Sequence, residues 1–245
     1  LSYFMPEAKP FHYCRGPNSA LLIHGFTGSP GEMKPLGVHL AEKNISVKAP
    51  LLPGHGTEPG KMTKTTYRDW LDLIYKEIEF MLSNYERTTL IGLSMGGLLS
   101  LAGAIKYPVE NVVSMAAPIN LTYRFYSFVP LISRLNLYIP KGKWDSFVKE
   151  RGAYNCIPTK SLSDLLNIRN FVKEGISSIN CPVLIMQGKK DLMVSQKSPL
   201  FLNEHIKDSR LVMFSNSGHI LTMDKEREKV LNNIEHFIFG KHISL

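Results

Sequence analysis

Three side chains in this sequence have the types that acyl transfer requires. Ser94 stands in Gly92-Leu93-Ser94-Met95-Gly96, a G-x-S-x-G run. A serine hydroxyl is a weak nucleophile until a base removes its proton, so the motif carries chemistry only with a histidine in reach. Of the eight histidines, His12 and His242 lie near the chain ends, and His39, His205 and His236 fall in helix-like segments. His24 and His55 lie in loops on the N-terminal side of the motif. His219 differs, because its stretch "NSGHIL" follows directly on the apolar run "RLVMFS". A third group must orient the imidazole and stabilise its cation, which calls for a carboxylate. Asp191 comes three residues after the apolar run "PVLIMQG", whereas Asp145, Asp164, Glu204 and Asp208 fall in less favourable places.

Attack on a carbonyl develops an oxyanion, which needs preorganised N–H donors. The Met95 amide follows the serine at the start of a helix, where unpaired N–H groups and the helix dipole favour negative charge. A second donor is expected from the loop "HGFTG", with the Phe26 amide best placed. Each residue also has a plainer reading. Ser94 could only cap its helix, His219 could be a surface-loop histidine, and Asp191 could be a solvated partner of Lys189 or Lys190.

For these groups to meet, strands must deliver them to one edge. Apolar β-like runs alternate with segments of helical period, which implies a mostly parallel sheet covered by helices. The runs "SALLIH", "ISVKAP", "TTLIG", "NVVSMAAP", "CPVLIMQG" and "RLVMFS" read as strands. Tyr67, Trp70, Leu71, Ile74, Ile78, Met81, Leu82 and Tyr85 recur at three- and four-residue steps, so this segment is predicted as a helix with one apolar face. A last helix is expected near 225–239, with Asp224 as its N-cap. In an open parallel sheet, loops at the carboxyl ends of strands gather in one crevice, so the His219 loop can reach Ser94.

Composition narrows the function classes. With 44% hydrophobic and 20% charged residues over 245 positions, the chain reads as an ordinary folded protein. Its apolar runs are far shorter than the ~18 residues of a membrane span. The stretch "LSYFMPEAKPF" lacks the basic and apolar regions of a signal peptide, although a removed one would leave no trace. Three cysteines without CxxC spacing read as inert thiols and fit a reducing cytoplasm. The net charge of +8 comes from scattered basic residues without a nucleic-acid motif, so no nucleic-acid partner is expected. The glycine turns "GFTGSPG" and "GLSMGG" miss G-x-G-x-x-G, and no HExxH, HxH or paired CxxC spacing is present. No cofactor and no metal are therefore expected.

With these residues in place, the sequence resembles the serine α/β-hydrolases, and within them the small bacterial carboxylesterases and monoacylglycerol lipases. The order Ser94, Asp191, His219 and the stretches "HGFTG", "PGHG", "GLSMGG", "QGKKDLMV" and "SGHIL" carry the likeness, over roughly 18–118 and 180–240. The resemblance implies the α/β-hydrolase fold with a mostly parallel eight-stranded sheet, Ser94 after the fifth strand and a cap inserted after the sixth. It implies Ser94 as nucleophile, Asp191 as acid, His219 as base, and Phe26 and Met95 as oxyanion amides. Residues 1–118 and 179–245 would form the core domain and 119–178 the cap.

The cap segment is rich in aromatics, namely Tyr123, Phe125, Tyr126, Phe128, Tyr138, Trp144, Phe147, Tyr154 and Phe171, which implies an apolar ceiling over the serine, some of them forming the segment's own core. The expected function is a carboxylesterase for small-molecule esters with short to medium acyl or aromatic groups. Monoacylglycerol lipase activity is the alternative, followed by C–C hydrolysis, perhydrolysis, aminopeptidase activity or a hydrolase-fold ligand receptor. The oligomeric state is not legible.

Overall fold

The computed structural model describes residues 5–121, 132–135, 137–142 and 147–240. Tyr123, Phe125, Tyr126, Phe128 and Trp144 of the aromatic-rich segment, and His242, lie outside them. Seven strands form one sheet: β1 (Phe11–Tyr13), β2 (Asn18–Ile23), β3 (Ser46–Ala49), β4 (Arg87–Leu93), β5 (Asn111–Met115), β8 (Val183–Gly188) and β9 (Ser209–Phe214). Their spatial order is β1-β3-β2-β4-β5-β8-β9, and only β1 runs antiparallel to its neighbour. A separate antiparallel pair, β6 (Tyr138–Pro140) and β7 (Cys156–Pro158), lies within the inserted segment.

Among the described residues the main sheet thus has seven strands, not the eight expected. Ser94 follows the fourth strand of the chain, and the insertion follows the fifth. Among the described residues no strand precedes β1 in the chain. Before β1 the chain reads "MPEAKP" and makes a single 3-10 turn over Pro6–Ala8, and prolines supply no N–H to a strand ladder.

Strands of this sheet are apolar on both faces because helices cover both. On one side lie α1 (Lys34–Glu42) and α7 (Arg227–Ile238), whose Leu36, Leu40, Val230 and Ile234 pack with Leu22, Ile91, Val113 and Leu184. On the other side, α2 (Pro59–Met62) is a single turn that leads into α3 (Tyr67–Asn84), followed in the chain by α4 (Met95–Lys106), α5 (Thr159–Gly175) and α6 (Lys197–His205). Here Trp70, Ile74, Leu98, Leu99, Ile168 and Val172 pack with Leu21, Leu90 and Val112. The apolar stripe predicted for α3 is this buried face, and the helix starts where Thr66 N–H donates to the Asp69 carboxylate at 2.7 Å.

The helix α5 was not legible in the sequence, because polar residues of "TKSLSDLLNIRNFVKEG" interrupt its stripe. Ile168 and Val172 root it in the core, while Leu162 and Leu165 reach the cavity described below. Asp224 is not the N-cap of the last helix. That helix begins at Arg227, and the Asp224 carboxylate instead accepts from the amides of Gly218 at 2.6 Å and Lys225 at 2.7 Å. The reason is local competition: Asp224 braces the His219 loop instead of the helix end.

Candidate active site

The strand β4 turns into the helix α4 at Ser94, which has φ of 56° and ψ of −117°. Such a positive φ is costly for a residue with a side chain, so the surroundings must over-determine it. They do so through glycines. A Cβ on Gly92 would lie 1.9 Å from the Gly96 carbonyl oxygen, and one on Gly96 would lie 2.0 Å from that of Ile23. Only glycine lets the first turn of α4 press against β2 and β4 this closely. The Ser94 amide donates to the Met115 carbonyl at 2.7 Å and ties the elbow to β5. Although Ser94 occupies the N-cap position, its side chain makes no capping hydrogen bond. The capping alternative therefore does not account for the hydroxyl.

At the end of β9, His219 Nδ1–H donates to Asp191 Oδ2 at 2.8 Å. The other Asp191 oxygen accepts the amides of Met193 at 2.7 Å and Val194 at 3.0 Å. Gln187 Nε2 also donates to Oδ2, at 2.7 Å. Burial opposes ionisation of this carboxyl, but the charge and hydrogen bond of His219 and the two amides outweigh it. The net effect holds Asp191 below the usual carboxylate range, ionised and aimed at the imidazole. Its side chain is fully buried, and Lys190 pairs with Asn216 at 3.3 Å, so the surface-pair alternative for Asp191 does not describe its contacts.

The loop after β2 has its own bracing. The Gly25 carbonyl accepts from His24 Nδ1–H at 2.9 Å and from the Gly28 amide at 3.1 Å. In a trans peptide the carbonyl and the following N–H point in opposite directions, so fixing the Gly25 oxygen fixes the Phe26 N–H. Among the described residues neither the Phe26 nor the Met95 amide has an acceptor. His24 accepts the Leu52 amide on Nε2 at 3.0 Å, and burial pushes its pKa down to about 4. His55 is buried beside it and is lowered to about 3, first by burial and then by His24. Both are neutral structural histidines.

Ser94, His219, Gly25 and Phe26 line one cavity of about 380 Å³. Asp191 stands behind His219, and Met95 is buried at the first position of α4. Leu121, Ile157, Leu162, Leu165 and Val194 give the cavity an aliphatic wall, and Lys141, Lys190, Asp224 and Lys225 line it as well. Of the described aromatics of segment 119–178, only Phe147 reaches the cavity. Tyr154 is buried and donates to the Gly54 carbonyl at 2.7 Å, while Tyr138 and Phe171 face solvent. Three residues of the site were not singled out from the sequence. Gln187 touches Asp191, and Glu32 and Arg151 line the cavity as an ion pair. Among the described residues no group of three or more His, Cys, Asp or Glu is placed to hold a metal ion.

A serine at a strained strand-to-helix turn after β4, with a histidine–carboxylate pair in the loops after β8 and β9, is the arrangement expected of an α/β-hydrolase. The family model described as "Alpha/beta hydrolase family" matches residues 20–232, and the chain belongs to this family. A carboxylesterase of Bacillus subtilis (strain 168) is 28% identical over 235 residues, covering 94% of this chain and 96% of that protein. A thermostable monoacylglycerol lipase of Bacillus sp. (strain H-257) is 30% identical over 248 residues, covering 96% and 95%. A solved structure of a metagenome-derived lipolytic enzyme superposes with a TM-score of 0.90 at 26% identity, over 97% of this chain and 100% of that one. The chain stands among the ester hydrolases of its family.

Proposed function

We propose that the protein is a serine carboxylesterase acting on small-molecule esters with apolar acyl or aromatic groups. In this mechanism His219 takes the Ser94 proton as the oxygen attacks the ester carbonyl, and the imidazolium is stabilised by Asp191. The tetrahedral oxyanion is held by the Phe26 and Met95 amides. The C–O bond to the alcohol breaks, His219 protonates the departing alkoxide, and an acyl-Ser94 ester remains. Water then attacks this ester with His219 again as base, and Ser94 regains its proton as the acid leaves. The observation that carries the reading is the His219–Asp191 hydrogen bond at 2.8 Å behind a cavity that also holds the uncapped Ser94.

The segment 119–178 would act as the cap, rooted in the core through α5 and roofing the cavity with Leu162, Leu165 and Phe147. A cavity of about 380 Å³ lies near the small end of the ~300–1,000 Å³ typical of ligand pockets, which suits short to medium acyl groups. The free thiols of Cys14, Cys156 and Cys181 fit a reducing cytoplasm, and among the described residues no helix is long and apolar enough to cross a membrane. A second reading, monoacylglycerol hydrolysis, is favoured by the likeness to the Bacillus sp. lipase of that name. Chain-length profiles separate the two. A carboxylesterase turns over p-nitrophenyl acetate to hexanoate with kcat/KM well above that for long-chain 1-monoacylglycerols, and the reverse order contradicts the proposal in favour of the second reading.

A further inference from the structure

A buried ion pair lies on the wall of the reaction cavity, and the elbow, the imidazole and the carboxylate discussed above make no use of it. Arg151 Nη1 sits 2.7 Å from Glu32 Oε2, with side-chain exposures of 4% and 0%. Desolvating two charges costs about as much as their attraction returns, so such a pair is weak as a stabilising device, and its value lies in the geometry it imposes.

That geometry is specific. Glu32 Oε1 accepts the Gly25 amide, so the carboxylate holds the residue whose carbonyl belongs to the same peptide as the Phe26 N–H. The loop wraps tightly around the carboxylate, for a Cβ on Gly28 would lie 2.4 Å from Glu32 Oε2. From behind, Thr222 Oγ1 donates to the Glu32 carbonyl at 2.6 Å and fixes its backbone. Arg151 comes from the inserted segment, 119 residues further along the chain. Its neighbourhood is stitched to the same loop: Ser29 Oγ donates to the Arg151 carbonyl at 2.5 Å, and the Tyr154 amide donates to the Thr27 carbonyl at 2.9 Å.

We propose that Glu32, held by Arg151, is a positioning residue that aligns the Phe26 amide for the oxyanion and makes this alignment depend on the seating of the 147–154 turn. The inference rests on the assignment of Ser94 as nucleophile and Phe26 as oxyanion donor. Displacing a reacting or stabilising group by about 1 Å can cost ~10²-fold in rate, so loss of the Gly25 clamp falls on kcat and leaves KM nearly unchanged.

The test uses the full chain with Glu32→Met and Arg151→Met together, which leaves no orphaned buried charge and keeps an unbranched side chain at both positions. Active sites are counted with a p-nitrophenyl alkylphosphonate, the labelled peptide is identified by mass spectrometry, and kcat is expressed per labelled site. The expected result is a melting temperature close to the parent's, a kcat about 10²-fold lower and a KM within about threefold. Arg151→Lys, which keeps one charged donor toward Glu32, recovers part of the rate lost in Arg151→Met. A double variant with kcat per site within twofold of the parent overturns the proposal and leaves the Ser94 assignment standing. Absence of phosphonate from Ser94 in the parent overturns that assignment and the inference with it.

Discussion

His219 Nδ1 and Asp191 Oδ2 lie 2.8 Å apart, although 28 residues and a whole helix separate them in the chain. The contact forms because β8 and β9 are parallel neighbours in register from Val183 opposite Ser209 to Gly188 opposite Phe214, so their following loops leave the sheet side by side. The bond places the His219 proton on Nδ1, and in the proposed mechanism Nε2 is the base.

Asp191→Asn tests that orientation. An amide at this position still accepts the Met193 and Val194 amides, but it offers an N–H to the imidazole and favours the wrong tautomer. We expect kcat on p-nitrophenyl butyrate to fall by about 10³- to 10⁴-fold with KM changed only a few fold. Steady-state kinetics at pH 7.5 measures it, and a loss below tenfold contradicts the role given to Asp191.

Gly96→Ala tests the elbow. The new methyl would meet the backbone oxygen of Ile23 at 2.0 Å, a contact that no rotamer change relieves. We expect a loss of at least ~3 kcal/mol in urea unfolding, or no folded protein, because backbone must move to make room. A stable variant with unchanged midpoint contradicts the packing described.

The buried pair His24 and His55 makes stability depend on pH. Both folded pKa values lie below the ordinary 6.5, at about 4 and about 3, so the unfolded chain binds protons that the folded chain refuses. Their contribution is complete above pH ~6.5 and is lost as pH falls toward the folded values, at about 1.4 kcal/mol per pH unit for each histidine. Unfolding midpoints measured from pH 8 to pH 5 are expected to be flat and then to decline. The decline is shallower in His55→Gln than in the parent.

Leu165→Trp tests the acyl pocket. Leu165 projects from α5 into the cavity, and an indole there removes space for the far end of an acyl chain. With about 0.8 kcal/mol per buried methylene, loss of room for three or four methylenes lowers kcat/KM for octanoate by ~10²-fold. Acetate turnover is expected to stay within a few fold. Equal losses on both esters would place Leu165 outside the acyl site.

The sequence carried those parts of the site that depend on local chemistry. Ser94 between Gly92 and Gly96 announces a strand-to-helix elbow, and Asp191 and His219 each follow an apolar run by a few residues. The same logic located β2, β3, β4, β5, β8 and β9 and the helix α3, whose apolar steps are regular. It did not reveal α5, whose stripe is broken by polar residues, nor the use of Asp224 to brace Gly218 instead of capping a helix. Glu32 and Arg151 were invisible for a different reason. They meet across 119 residues of sequence with no motif at either end, and only the path of the inserted segment brings them together. Aromatics of segment 119–178 such as Tyr154 mislead because composition cannot tell a wall of the cavity from a buried structural ring.

The most direct measurement is peptide mapping of the protein quenched in acid during turnover of p-nitrophenyl butyrate. The account predicts a butyryl adduct on the peptide that carries Ser94, a burst of p-nitrophenol matching its amount, and neither adduct nor turnover in Ser94→Ala. Turnover that survives in Ser94→Ala, or an adduct on any other residue, would contradict it.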